Sequence, residues 1–170
     1  MATIPGTEEL FDLFKQLNIA YTILAHEPLF TSDQATEVAK QLPWAHPKNL
    51  FLYDKKNPNR LFLLSVVDTK RLDINRFAKM VGVTGMSFAK AETLKQLLGV
   101  APGSVTPLGL FHDHTGQISY YIDSDLLAHA DISIHPLRND HTVTLDMQDF
   151  LRFCSFTKHA PTIITVPTKS

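Results

Sequence analysis

The chain has 170 residues, of which 44% are hydrophobic and 19% are charged. This length and composition predict a single domain over residues 1–170 with one sizeable core, and they argue against disorder of the whole chain. The formal net charge of -1 argues against a DNA- or RNA-binding protein that gains its affinity by neutralising many phosphates.

Targeting signals and disulfides are not evident in the sequence. No apolar run approaches the roughly 20 residues that a membrane-spanning helix needs, and residues 1–6 lack the basic start and apolar stretch of a signal peptide. Cys154 is the only cysteine, which excludes an internal disulfide and a cysteine-based zinc cluster. We therefore expect a cytoplasmic protein that makes no membrane contact.

The first quarter of the chain predicts two helices and a strand. Residues Glu8 to Leu17 carry apolar side chains at helical spacing, with Thr7 as a plausible N-cap. A strand is expected at Tyr21–Ala25. A second helix, Ser32–Leu42, begins with the spacing of a capping box and is closed by a proline.

Two strongly apolar segments, Asn49–Tyr53 and Leu61–Val67, flank a polar stretch typical of a hairpin loop. We expect this pair at the centre of the sheet. A second hairpin is predicted from Pro107–Phe111 and Gln117–Ile122. The other predicted elements are the helices Asp73–Met80, Lys90–Leu98 and Asp146–Phe156 and the strands Ile132–Ile134, Val143–Leu145 and Ile163–Val166. Strands and helices interleave irregularly, which predicts a mixed α/β fold. In this fold, helices would flank a sheet that is either mixed or barrel-like.

The common catalytic signatures are missing: the sequence has no Walker loop, dinucleotide-binding glycine motif, nucleophile elbow or His-Glu-x-x-His. Cys154 lies on an apolar predicted helix, which favours a core residue over a nucleophile. His112 and His114 could ligate a metal by spacing, but they lie just before a glycine-containing turn, which favours a solvated loop. We expect no metal and no cofactor.

Three segments place polar groups at the ends of predicted elements. Lys48 and Asn49 stand directly before a core strand, where they offer a cation suited to phosphate and an amide. Residues 99–107 contain two glycines and two prolines, which predicts a stiff loop whose amides could bind a carbonyl or hydroxyl. His135 precedes a proline and is followed by Asn139. Each segment also has an ordinary structural interpretation.

A local RNA contact would need basic residues, and a solvated surface is the alternative interpretation for them. The candidates are Lys48, Lys55, Lys56, Arg60, Lys70 and Arg71.

Together, and in this order, these segments resemble the YbaK/ProX family of aminoacyl-tRNA deacylases, which includes the editing domain inserted in bacterial prolyl-tRNA synthetases. The likeness runs from about residue 20 to residue 161, and its motifs are in register. The matching stretches are residues 48–52, 68–73, 87–89 and 98–107, and His135-Pro136-Leu137 with Asn139 and Thr142.

The resemblance implies a barrel-like mixed α/β fold that hydrolyses the ester between an amino acid and the terminal adenosine of tRNA. It implies a role for Lys48 near the terminal phosphate and ribose, and for Asn49 at the amino group. The implied catalytic residues are Lys48, Gly103 and His135. The implied substrate-binding residues are Asn49, His26, Ser104, Val105, Thr106, Pro107 and Asn139. The family's C-terminal Gly-His pair is Lys158-His159 here, a departure that leaves the role of this turn open.

An aminoacyl ester is already activated, so orientation and oxyanion stabilisation can suffice without a catalytic triad. Either a water molecule or the ribose hydroxyl could attack. Replacement of Lys48 by Ala is then expected to lower deacylation by orders of magnitude.

A synthetase cannot reject a smaller amino acid by size alone, which calls for a second sieve. Alanine on proline tRNA is the preferred substrate, and cysteine on the same tRNA is the alternative. The expected partner is the tRNA acceptor end, with prolyl-tRNA synthetase or an elongation factor as possible carriers.

Two other classes of function remain open. One is a non-catalytic module that binds tRNA or a synthetase. The other is a small-molecule or metal-dependent hydrolase that uses His26, His112 and His135. A deacylation assay, repeated with a chelator, separates these classes.

Overall fold

The computed structural model describes residue 4, residues 6–29, residue 37 and residues 46–169. Apart from Glu37, the predicted helix Ser32–Leu42 lies outside the described residues. Within these ranges the helices are α1 (Glu8–Gln16), α2 (Ile74–Met80), α3 (Ala91–Leu98) and α4 (Met147–Phe156), with 3-10 helices at Pro107–His112 and Ser124–Ala128. The strands are β1 (Tyr21–Ala25), β2 (Pro47–Asp54), β3 (Leu61–Val67), β4 (Met86–Phe88), β5 (Ile118–Asp123), β6 (Asp131–Ile134), β7 (His141–Asp146) and β8 (Thr162–Ile164). None of the described helices has the length and apolar character needed to cross a membrane.

The strands form two sheets. The larger has the order β4-β2-β3-β5-β8, antiparallel from β4 to β3 and parallel from β3 to β8. The smaller is antiparallel and has the order β1-β7-β6. The predicted mixed α/β fold is confirmed, although the strands of the described ranges form two separate sheets and not a closed barrel.

Strand β3 lies at the centre of the larger sheet because its apolar run can be buried on both faces. Leu61 and Leu63 face a first core, which lies between the two sheets and includes side chains of α1, α3 and α4. Phe62 and Leu64 face a second core, which α2 covers. The prediction that the β2–β3 hairpin is central is thereby confirmed.

Two local predictions are wrong. Pro107–His112 is a 3-10 helix and not a strand of a hairpin, since Pro107 begins it and the hydroxyl oxygen of Thr106 accepts a hydrogen bond from the amide of Leu108. Thr7 lies at the N-cap position of α1, but its hydroxyl donates to the carbonyl of Ile4 and does not cap the helix.

Candidate active site

Lys48 and Asn49 are adjacent residues at the start of β2, so their side chains leave opposite faces of the sheet. The next two residues show which face is which: Leu50 packs against the second core and Phe51 belongs to the first. Asn49 therefore faces the first core and Lys48 faces the second. We call these two surfaces the Asn49 face and the Lys48 face.

The Lys48 face is a network of charged groups. Lys48 Nζ donates to the carbonyl of Lys70, and Lys70 Nζ lies 3.0 Å from Asp123 Oδ1 and 2.7 Å from Asp125 Oδ2. Asp123 is fully buried, and its other carboxylate oxygen accepts from the amide of Val67 at 3.2 Å. Asp123 thus binds both ends of the turn from Val67 to Lys70. The carbonyl of Lys70 in this turn accepts the hydrogen bond from Lys48.

Burial lowers the pKa of Lys48; the nearby carboxylate of Asp68 opposes this effect, and Arg71 adds to it. The lysine ammonium group is a compact charge with three donors, and one of them is bound to the carbonyl of Lys70. The remaining donors suit a phosphate oxygen at this end of the strand.

On the Asn49 face, three side chains form a hydrogen-bonded relay. Asn49 Oδ1 accepts from Ser65 Oγ at 2.5 Å, and Ser65 Oγ lies 2.7 Å from the hydroxyl of Tyr120. Burial raises the pKa of Tyr120 well above its usual value, so the phenol keeps its proton. The relay ties the carboxamide of Asn49 to the first core.

Two histidines on the same side of the larger sheet have defined tautomers. His135 Nδ1 donates to the carbonyl of His141 at 3.1 Å, and His26 Nδ1 donates to that of Glu27 at 2.8 Å. In the neutral form, His26 Nε2 then accepts from Thr142 Oγ1 at 2.8 Å. The two ring centroids are 6.4 Å apart.

His135 is suited to act as a base. Burial lowers its pKa, and the hydrogen bond to the carbonyl of His141 opposes this effect; His26 lowers the pKa further and Asp140 raises it. Because Nδ1 carries the proton, Nε2 has the lone pair, and no residue in the described part of the chain hydrogen-bonds to it. A neutral imidazole with an accessible lone pair is what general-base catalysis requires.

The loop that carries His135 is held in an unusual backbone conformation. Leu137 has φ 70°, which is rare for a residue with a side chain. Arg138 donates from Nε and Nη2 to the two oxygens of Asp140, at 3.0 and 2.7 Å. Arg138, with help from His141, holds the pKa of Asp140 well below its usual range. The loop is therefore braced by ionic hydrogen bonds.

The predicted glycine loop forms an exposed turn. Gly103 has φ 88°, in the left-handed region that favours glycine. The amide of Ser104 donates to the carbonyl of Ala101 at 3.0 Å. The amides of Gly103 and Val105, in contrast, have no acceptor among the residues that the structure describes. These two amides therefore keep their capacity to donate a hydrogen bond.

The other residues of this turn lie beneath it. Ser104, Thr106 and Pro107 are buried, while Gly103 is exposed and Val105 is half-buried. Thr106 and Pro107 fix the start of the following 3-10 helix. Of the predicted residues 103–107, only Gly103 is therefore exposed, while Val105 packs against the first core.

Asn139 links the glycine turn to the histidines. A Cβ atom placed on Gly103 would lie 3.9 Å from Asn139 Nδ2. That amide donates to the carbonyl of Leu29 at 3.3 Å, and the backbones of Leu29 and Asn139 are also hydrogen-bonded, at 3.1 Å. The amide of His26 donates to the carbonyl of Asp140 at 2.9 Å.

The predicted site residues thus fall into two groups. Gly103, Asn139, His26 and His135 form one cluster. Asn49 lies on the face of β2 toward this cluster, since β2 contacts β6 and His135 follows β6 directly. The side chain of Lys48 leaves by the opposite face.

Three site components were not predicted. Ser65, Tyr120 and Asp123 have no local sequence signal, because their partners lie 16, 55 and 56 residues away along the chain. Buried polar residues within apolar strands are the only hint that the sequence contains.

Other candidates have structural roles. Cys154 is fully buried and burial raises its pKa, which confirms that it is a core residue. His112 Nδ1 donates to the carbonyl of Leu98 at 2.9 Å. His159 Nε2 lies 2.8 Å from Asp113 Oδ2, and both are buried. Lys158 has φ 66°, in the left-handed region that favours glycine.

No three His, Cys, Asp or Glu side chains in the described ranges are placed to hold a metal ion. A cavity of about 260 Å³ lies at the far end of β2, away from Asn49. Its lining residues are Tyr53, Pro58, Leu61, Lys90 and Thr93.

Comparison with known proteins identifies the family. The family model described as "Aminoacyl-tRNA editing domain" matches residues 26–153. The chain belongs to this family. The editing domain is 32% identical over 167 residues to prolyl-tRNA synthetase associated domain-containing protein 1 of Danio rerio, covering 97% of this chain and 90% of that protein. It is 29% identical over 134 residues to the prolyl-tRNA editing protein ProX of Acetoanaerobium sticklandii, covering 79% and 81%.

The fold of the editing domain is shared with solved structures. A crystal structure described as that of a proposed trans-editing enzyme for prolyl-tRNA synthetase has a TM-score of 0.73 at 17% identity, over 99% of this chain and 100% of that one. The resemblance to the YbaK/ProX family is confirmed. The substrate class that this family implies is aminoacyl-tRNA.

Proposed function

We propose that this editing domain hydrolyses the ester of alanine mischarged onto proline tRNA, and that it acts in trans. The observation that carries the proposal is the exposed Gly103 turn, with its two unpaired amides, in one cluster with a neutral His135. The names of the relatives, which refer to prolyl-tRNA editing and to prolyl-tRNA synthetase, support the choice of tRNA.

The amides of Gly103 and Val105 would hold the acyl carbonyl oxygen as it becomes an oxyanion. Backbone donors fixed in a stiff turn need no reorganisation during the reaction, and the loss of one oxyanion donor typically costs about 100- to 1000-fold in kcat. The turn is fixed from below, by the buried side chains of Ser104 and Thr106.

His135 Nε2 would accept a proton from the attacking water. The water oxygen bonds to the carbonyl carbon, the bond between that carbon and the ribose oxygen breaks, and the proton passes to the departing ribose oxygen. The products are the free amino acid and the tRNA with its terminal hydroxyl restored. A protein nucleophile is not needed, because the ester is already activated.

On the other face of β2, Lys48 would bind the terminal phosphate of the tRNA. The substrate would then extend from the cluster, where its ester would lie, to the start of β2, where its phosphate would lie. The near-neutral chain would then rely on local contacts.

Size selection explains the preference for alanine. One or two missing methylene groups are worth only about 1 to 3 kcal/mol in a synthetase pocket, so a second site that admits the smaller product and excludes proline adds the needed discrimination. Cysteine on proline tRNA is the alternative substrate.

The test is deacylation of the alanyl, cysteinyl and prolyl forms of proline tRNA by the purified chain, with and without EDTA. We expect alanyl-tRNA to be cleaved fastest, prolyl-tRNA to survive, and EDTA to have no effect. Preferential cleavage of cysteinyl-tRNA would support the alternative substrate. Binding of all three without cleavage would contradict the proposal and favour a non-catalytic module.

Delivery of the substrate is a separate question. We propose that prolyl-tRNA synthetase or an elongation factor hands over the tRNA, since the net charge of -1 gives the chain little overall attraction for it. Addition of either protein to the assay should lower the apparent KM without changing kcat, and an unchanged KM would contradict delivery.

A further inference from the structure

The hydrogens of the Tyr120–Ser65–Asn49 relay can be placed by counting donors and acceptors. The hydroxyl of Tyr120 is buried, and Ser65 is its hydrogen-bond partner within the described residues. A buried hydroxyl that donates to nothing costs about 1–3 kcal/mol. Tyr120 therefore donates to Ser65.

Ser65 has a single hydrogen, and Tyr120 occupies one of its lone pairs. Its hydrogen points to Asn49, 2.5 Å away, which must present an acceptor. If the carboxamide of Asn49 were flipped, it would donate to Ser65, and one buried hydroxyl hydrogen, that of Ser65 or that of Tyr120, would have no acceptor among the described residues. The relay therefore runs from Tyr120 through Ser65 to Asn49 Oδ1.

We propose that Tyr120 and Ser65 are positioning residues that turn the NH2 group of Asn49 toward the substrate, so that Asn49 binds an oxygen of the aminoacyl ester and not its amino group. This inference rests on the proposed function. It differs from the amino-group contact that the family resemblance implies.

The chemistry of the two substrate groups decides between these roles. A protonated amino group has only N–H donors and requires an acceptor, whereas the acyl and ribose oxygens can accept. Ser65 occupies one of the two lone pairs of Asn49 Oδ1, whereas the NH2 group of Asn49 has no acceptor among the described residues; Asn49 itself is half-buried at the strand end. Both hydrogens of this NH2 group are free to donate, which matches a substrate oxygen better than a protonated amino group.

The first test compares two esters of proline tRNA, one with alanine and one with lactic acid, which has a hydroxyl in place of the amino group. Asn49→Ala should reduce kcat/KM for both esters by the same factor, about tenfold for one hydrogen bond. A loss on the alanyl ester that disappears on the lactyl ester would show an amino-group contact and overturn the proposal.

The second test examines the relay by double-mutant cycles. Ser65→Ala should lower kcat/KM more than Tyr120→Phe, because Tyr120→Phe leaves the hydrogen of Ser65 in place. Neither change should add to the loss in an Asn49→Ala background, since both act through Asn49. Additive losses would indicate a merely structural role and would contradict the positioning.

Ser133→Ala is the matched control. Ser133 is also buried, and its hydroxyl lies 2.7 Å from that of Thr144 in the smaller sheet. It should affect stability about as much as Ser65→Ala, while its effect on activity should not depend on the residue at position 49.

A measurement without substrate separates this inference from the proposed function. If the wild type cleaves none of the esters, the proposed function fails. The proposed contact between Asn49 and an oxygen of the ester then fails as well. The orientation of Asn49 is then judged by NMR with 13Cζ-labelled tyrosine. A slowly exchanging hydroxyl proton of Tyr120 that is lost in Ser65→Ala, with a shift of the Asn49 side-chain amide, would support the relay. The same proton retained in Ser65→Ala would overturn it.

Discussion

The two faces at the start of β2 differ in how their polar groups are held. The Asn49 face carries neutral groups in fixed orientations: a carboxamide on a buried relay and an imidazole whose pKa is lowered. The Lys48 face carries charges paired across a turn. Because adjacent strand residues point in opposite directions, the dipeptide Lys48-Asn49 contributes one side chain to each face. The proposed function places ester chemistry on the first face and phosphate binding on the second.

The largest expected effect is on the Asn49 face. His135→Gln keeps a side-chain donor but removes the base, so we expect kcat for alanyl-tRNA to fall about 1000-fold with little change in KM. Single-turnover deacylation measures this loss. The control is His129→Gln, because His129 is exposed just before β6. A wild-type rate in His135→Gln would contradict the role of His135 as the general base.

On the Lys48 face, Lys48→Ala should lower kcat/KM about 100-fold, chiefly through KM. The slope of log KM against log salt should also fall by about one unit if a single phosphate contact is lost. Lys15→Ala, on the exposed side of α1, is the charge-matched control. A loss confined to kcat, with an unchanged salt slope, would instead place Lys48 at the ester.

A smaller effect should follow from Asp123→Asn. This change weakens the turn whose Lys70 carbonyl accepts the hydrogen bond from Lys48. We expect kcat/KM to fall about tenfold, since the amide of Val67 and Lys70 both depend on this carboxylate. Asp125→Asn removes the exposed half of the same ion-pair network and should change activity less than twofold. Equal losses in the two variants would mean that the buried carboxylate does not position Lys48.

The smallest effect concerns stability and pH. The pKa of His135 is lower in the folded chain than its usual value of about 6.5 in the unfolded chain. Below pH 6.5 the unfolded state therefore binds more protons, and the free energy of unfolding should fall until the pH passes the folded pKa. Urea denaturation from pH 7.5 to 5.0 should show a smaller decline in His135→Gln. Identical declines would argue against a lowered pKa.

The sequence predicted the elements whose pattern has one physical explanation. The hairpin of β2 and β3 follows from two apolar runs around a polar, proline-containing loop, and the structure confirms it. Pro107–Phe111 was wrongly predicted to be a strand because a buried 3-10 helix has the same apolar run as a short strand. Strand β4 has only three residues and gives no periodic signal.

For the site, the motifs predicted candidate segments but not how they meet. Strand alternation could have shown that Lys48 and Asn49 point apart. The support from Tyr120 and Asp123 could not be predicted, because strand pairing brings these residues to partners more than 50 positions away. Their roles depend on the register of β3 with β5.

The most direct test of the account compares Gly103→Ala with Gly116→Ala. Both glycines are exposed with positive φ, 88° and 70°, and neither position would bring a Cβ atom into a close contact. Each change should therefore destabilise the chain similarly, by about 1 kcal/mol. We predict that only Gly103→Ala lowers single-turnover deacylation of alanyl-tRNA, at least tenfold. Equal activity of the two variants would contradict the claim that the Gly103 turn holds the ester.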